Sequence, residues 1–139
     1  MKKTNLELIR ARYEAVNAHD LDRFQSFYAD TVVWRDPGTA RPAKGPSAVR
    51  KRLETWITAV PNLKWSLDDL FGDGDRLCAQ FTFSGTHRGA VTDSRGNELP
   101  PGRRAIRTRG VGVYVVKAGK IVDSAIYFDL AAFRAPTSS

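Results

Sequence analysis

The chain has 139 residues, 22 Lys and Arg against 15 Asp and Glu, a formal net charge of +7 and 42% hydrophobic residues. That length suits one domain, residues 1–139, with its own core, and the lack of repeats or low-complexity tracts excludes a solenoid or array. The single cysteine, Cys78, excludes an intramolecular disulfide, and two histidines without clustered ligand spacing argue against a protein-built zinc site.

Leu6, Ile9, Tyr13, Val16 and Asn17 recur at helical spacing and predict a first helix stopping near Asn17-Ala18-His19. No apolar stretch is long enough to span a bilayer. The start Met1-Lys2-Lys3-Thr4-Asn5 leads into this amphipathic pattern rather than a signal-peptide block, so a cytoplasmic setting without a membrane partner is expected. Asp20 suits an N-cap and opens a second short helix, Leu21 to Tyr28. Thr31 to Asp36 reads as a strand ended by Pro37-Gly38. A Gly- and Pro-rich loop then leads to Pro46, which begins a third helix with Leu53, Trp56, Ile57 and Val60 on one side. The remainder reads as strands: Trp65 to Phe71, Arg76 to Arg88, Ala105 to Lys117 and Lys120 to Asp129. Gly72-Asp73-Gly74-Asp75, the loop Gly89 to Gly102, and Ala118-Gly119 separate them.

Helices followed by an antiparallel meander predict an α+β layer structure, a curved antiparallel sheet with N-terminal helices covering one face. The space between layers is the default site for a hydrophobic small molecule. The uncovered face, carrying Val and Ile from the last strands, predicts a homodimer. Cys78 lies in the apolar run Leu77-Cys78-Ala79-Gln80-Phe81 and reads as a buried inert thiol.

The basic residues are dispersed. Arg50, Lys51 and Arg52 read as the solvated face of the third helix, while Arg103, Arg104, Arg107 and Arg109 crowd one strand start. Alternation puts Arg107 and Arg109 on one face with Val111 and Val113, which predicts partial burial and pairing rather than an open phosphate track. With no aromatic-and-glycine signature of an RNA-binding sheet, nucleic acid is disfavoured as a partner.

Three residues carry candidate chemistry. Asp129 ends an apolar strand with no local cation; among apolar neighbours its carboxyl suits proton transfer, and alternatively it caps Leu130-Ala131-Ala132-Phe133. Asp36, at a strand end before Pro37 and on one face with Trp34 and Val32, is the second candidate or a turn starter. His87, after the strand in Gly85-Thr86-His87, is suited to bond a substrate carbonyl or orient a carboxylate, or is structurally bonded. Trp34, Trp56, Tyr28 and Phe83 read mostly as core, with one or two lining the cavity to stack on a flat ligand.

Leu8 to Asp22, Trp34-Arg35-Asp36-Pro37, Gly45 to Arg50, Gly85-Thr86-His87, Pro100-Pro101-Gly102-Arg103, and Lys120-Ile121-Val122 with Tyr127-Phe128-Asp129-Leu130 occur in an order that resembles the SnoaL-like polyketide cyclases. These belong to the superfamily of nuclear transport factor two and ketosteroid isomerase. The resemblance implies a cystatin-like α+β barrel with a cone-shaped pocket. It implies a cofactor-independent acid/base enzyme closing rings on a carbonyl-bearing molecule, with Asp129 as the general acid/base, Asp36 and His87 in support, and neither metal nor cofactor. Substrate contacts are expected from Trp34, Trp56, Tyr13, Tyr28, Phe83 and Arg109. Arg109 also stands where it can pair with Asp129 across neighbouring strands. The isomerase oxyanion hole is incomplete, with Gly112 at its acid position and Tyr13 about one residue out of register on the first helix. An epoxide-hydrolase triad is likewise incomplete, since Phe81-Thr82-Phe83-Ser84 stands where an Arg and a second Asp are needed. An epoxide hydrolase, an isomerase-like enzyme and a non-catalytic binding or dimerisation module of the same fold remain the alternatives.

Overall fold

Thr4 sets the start of the first helix by a reciprocal cap: its hydroxyl accepts from the Glu7 N–H at 3.1 Å, and the Glu7 carboxylate accepts from the Thr4 N–H at 3.2 Å. In this computed structural model, which describes residues 4–133, that helix is α1 (Asn5–Asn17). Asp20 caps α2 (Leu21–Ser26) through the Arg23 N–H. Helix α2 ends two residues short of the expected Tyr28, which already belongs to β1 (Tyr28–Arg35). Tyr28 pairs with Ile121, whose N–H donates to the Phe27 carbonyl at 2.9 Å, so strand pairing takes over before another helical turn closes.

The Gly- and Pro-rich loop contains β2 (Ala43–Lys44) and delivers the chain to α3 (Pro46–Ala59), with Pro46 in the first turn where its missing N–H costs nothing. Strands β3 (Lys64–Asp73) and β4 (Arg76–Thr86) form a hairpin. The loop after His87 holds a two-stranded pair, β5 (Val91–Thr92) and β6 (Glu98–Leu99), before β7 (Ala105–Lys117), β8 (Lys120–Phe128) and a 3₁₀ turn at Leu130–Phe133.

Six strands form one sheet in the order β2-β1-β8-β7-β4-β3. The sheet is mixed rather than antiparallel throughout: β1 lies parallel to β8. The meander β3-β4-β7-β8 leaves one edge of β8 free, and β1, entering from the helical layer, fills that edge in the same direction as β8. Inward residues alternate cleanly along β7, where Ile106, Gly110, Gly112, Tyr114 and Val116 are buried.

The expected cone-shaped pocket is occupied by side chains. Trp34, Trp56, Trp65, Tyr13, Tyr114, Phe24, Phe81, Phe83 and Phe133 are all fully buried between helices and sheet. Trp65 stacks on Phe81 at 5.1 Å, and Trp56 meets Phe128, Phe133 and Phe83 at 5.1, 5.7 and 6.0 Å. Large rings from both layers reach the midline, and close packing there gains more than an open cavity. A cleft of about 110 Å³ remains at the rim, between Gly38, Arg52 to Ala59 of α3, and Ala90-Val91-Thr92.

Candidate active site

Asp129 follows the last residue of β8 and is exposed, not enclosed by apolar neighbours as expected. The strand ends one residue earlier and the chain turns outward. One carboxylate oxygen, Oδ1, accepts the Ala131 N–H at 2.8 Å, which nucleates the 3₁₀ turn. The capping geometry is therefore present, and among the described residues Oδ2 has no partner. Phe128, the preceding residue, packs on Trp56, Phe83 and Phe133. Asp129 itself, one residue on, faces solvent.

Asp36 is the opposite case. Its side chain is wholly buried and all of its strong acceptor positions are used. Oδ1 accepts from the Gly38 N–H at 2.7 Å and Arg52 Nη2 at 2.9 Å, and Oδ2 accepts from Trp34 Nε1 at 2.7 Å and Arg52 Nε at 2.8 Å. The fork-on-fork pair with Arg52 ties β1, its following turn and α3 together. Arg52 accordingly is not part of a solvated helix face, whereas Arg50 bonds Asp22 and Glu54 at the surface. Both the Asp36 turn and the Trp34 ring are fixed by this network.

His87 is fully buried, edge-on to Phe133 at 5.0 Å. Burial, with Arg104 nearby as a lesser cause, pushes its pKa below the ordinary value of 6.5, so the neutral ring is the stable form. The Gly102 N–H points at Nδ1 at 3.5 Å and Nε2 has no partner. With Nδ1 as the acceptor, the ring proton is assigned to Nε2.

Arg107 and Arg109 are exposed, contrary to the expected burial, because their side of β7 is the face that no helix among the described residues covers. Neither forms an ion pair among the described residues, and Arg109 is not paired with Asp129. Arg109 lines an open groove on that face with Asp68, Gln80 and Tyr127. Cys78 is half-buried on the same side, not fully buried.

Of the expected substrate contacts, Trp56 borders the rim cleft, while Trp34 and Phe83 are enclosed core. Tyr13 and Tyr28 lie deeper, around a residue that the sequence reading missed. Arg12 is fully buried on α1, its Nε donating to the Tyr28 hydroxyl at 2.9 Å. The signal was present in the spacing: Arg12 lies three residues after Ile9 and four before Val16, on the apolar stripe of the helix. Tyr13 and Tyr114 share a hydroxyl hydrogen bond of 2.7 Å beside it. Burial raises the pKa of all three tyrosines, and the guanidinium offsets this only in part. Among the described residues, no group of three or more His, Cys, Asp and Glu is placed to hold a metal ion.

The model of one protein family, the SnoaL-like polyketide cyclases, matches residues 7–135. This chain belongs to that family. Among solved structures, a SnoaL-like polyketide cyclase from Agrobacterium tumefaciens superposes with a TM-score of 0.76 at 24% identity, covering 94% of this chain and 95% of the other. A Jannaschia protein described as a SnoaL-like polyketide cyclase gives 0.80 at 14% identity over 99% of both chains. A Catenulispora acidiphila protein with a ketosteroid isomerase-like fold, solved with trimethylamine, gives 0.77 at 12% identity over 94% and 91%. Such identities establish the fold and no more. No curated protein matches the chain. In this SnoaL-like chain the isomerase-type acid position, Gly112, is covered by the Tyr114 hydroxyl, which lies where a Cβ of residue 112 would project.

Proposed function

We propose that this SnoaL-like protein is a cofactor-independent acid–base enzyme acting on a hydrophobic, carbonyl-bearing small molecule, most like an aldol-type polyketide cyclase, with Asp129 as the general acid/base. The observation that carries this reading is the contrast between its carboxylates. Asp36 spends both oxygens on four donors, whereas the exposed Asp129, one residue after Phe128, keeps Oδ2 unengaged among the described residues.

In this reading Asp129 takes a proton from the carbon next to a carbonyl, and the resulting enolate carbon attacks a second carbonyl of the same molecule. A carbon–carbon bond forms, and the new alkoxide recovers the proton from the Asp129 carboxyl. Nothing is oxidised or reduced. His87 serves as the neutral donor to the developing oxyanion through Nε2 once uncovered. With the cone interior filled, the substrate sits at its mouth.

A second reading, a non-catalytic small-molecule-binding module, is favoured by that same aromatic filling. The two separate by α-proton exchange of a hydrophobic aryl 1,3-diketone in D₂O. The enzyme reading expects exchange above the buffer rate and a loss of about a hundredfold in Asp129→Asn. That variant preserves the turn because Asn also accepts the Ala131 N–H. Tryptophan quenching by the diketone with no accelerated exchange would establish the binding module instead.

A further inference from the structure

The buried cation on α1 lacks the partners its chemistry demands. Arg12 uses Nε on Tyr28, but Nη1 and Nη2 are buried without any hydrogen bond. Five rings enclose the guanidinium, whose Cζ lies 4.6 Å from the centroid of Tyr13, 5.1 Å from Tyr114, 5.4 Å from Phe24, 5.5 Å from Trp34 and 5.6 Å from Trp65. Ring faces attract a cation, yet they accept none of its in-plane hydrogens. A guanidinium does not shed its charge in a protein, so burial without an oxygen acceptor is costly. Among the described residues, no carboxylate pairs with it.

A second orphan stands in the same place. Ser124 is fully buried, and its Oγ has no partner of good hydrogen-bond geometry, the Tyr28 hydroxyl being the polar group beside it. Strand register sets Ser124 directly between Trp34 on β1 and Tyr114 on β7, two of the rings that enclose Arg12. The fork of the guanidinium and the serine hydroxyl are thereby gathered at one stretch of the inner sheet face. A third donor adjoins them. In the Tyr13–Tyr114 pair one hydroxyl donates to the other, which leaves one O–H hydrogen uncommitted.

We propose that Arg12 and Ser124 form an interior binding site for the carboxylate of a small organic acid. The two Nη groups present a planar fork that matches the two oxygens of a carboxylate, and Ser124 Oγ donates to one of them. A monoanion balances the single cation, while a phosphate dianion leaves net negative charge among aromatic walls. Those walls receive the small apolar body of the acid. Room is made by side chains now in contact, so formate and acetate are the probes of choice. The proposal does not rest on the acid–base role of Asp129, and Asp129→Asn is expected to leave it intact.

The test uses the full-length protein labelled with ¹⁵N-arginine, titrated with formate or acetate at constant ionic strength balanced by chloride. Slowly exchanging Arg12 Nη protons are expected to emerge, with a saturable rise in Tm. Arg12→Met is expected to lose that rise, and Ser124→Ala to weaken acetate binding about tenfold, the usual cost of one hydrogen bond to a charged group. If Arg12→Met does not fold, the wild-type Nη signals and Ser124→Ala decide the matter. Absence of any Nη response overturns the proposal. So does an equal response to chloride alone, or an Arg12→Met protein whose Tm rises as much as the wild type.

Discussion

At the scale of single residues, the molecule holds its polar interior by a few committed pairs. Among the described residues Arg52 is the sole charge partner of Asp36, whose side chain has no solvent exposure. Removing it strands a buried carboxylate, so Arg52→Ala is expected to lower unfolding free energy by about 3 kcal/mol in urea denaturation. A loss under about 0.5 kcal/mol, the level of an ordinary surface substitution, contradicts that role. His87 gives a pH signature. Its folded-state pKa is depressed below 6.5, so the unfolded chain binds the proton more tightly. The contribution of the neutral ring is fully present above 6.5, falls as pH drops through that value toward the folded pKa, and levels off below it. Comparing Tm at pH 7.5 and 5.5 checks this: His87→Gln is expected to show a smaller drop than wild type. Equal drops in the two proteins rule it out.

At the scale of elements, helix ends and strand pairing carry separate shares of the stability. The Thr4–Glu7 capping box satisfies N–H groups that otherwise face water without partners, and Thr4→Ala is expected to cost about 1 kcal/mol. Far-ultraviolet circular dichroism during thermal unfolding reads this directly, since the swap touches no core residue. Much of the local reading holds at this level. The starts of α2 and α3 and the turns at Gly74 and Gly119, both with positive φ, stand where Asp20, Pro46 and the glycines put them. The differences arise where a distant strand competes. Tyr28 leaves the helical pattern because Ile121 offers it a ladder position, and β1 chooses a parallel neighbour that no local pattern announces.

At the scale of the whole molecule, one sheet face is covered by helices, and among the described residues the other is bare. Tyr127 and Val113 are 60% and 42% exposed, with Val111 and Ala125 opposite them in the β7–β8 register. Apolar side chains in such a row are costly to leave in water. We expect a homodimer through this face, with sedimentation at micromolar concentration giving a twofold mass and the pair Val113→Asp, Tyr127→Glu giving monomer. A wild type that sediments as monomer removes the expectation. No helix among the described residues is long and apolar enough to cross a membrane.

What the sequence by itself determined was the succession of elements, the family and the short list of polar residues with chemistry to offer. Hydrophobic period, caps and glycine turns are local properties, read over a few neighbouring residues, and they survive folding largely unchanged. Only the tertiary structure decided what those polar residues do. Asp36 and Asp129 both end strands beside turn residues, and nothing local separates them. One meets Arg52 from a helix 16 residues on and is closed; the other turns outward and keeps an oxygen open. Arg12 shows in the spacing only that it lies on the apolar stripe of its helix; its surroundings come from Tyr28 and Trp34 on β1 and Tyr114 on β7, which enclose it. Charge, burial and hydrogen bonding belong to the assembled neighbourhood, because each depends on which groups packing brings within a few ångströms.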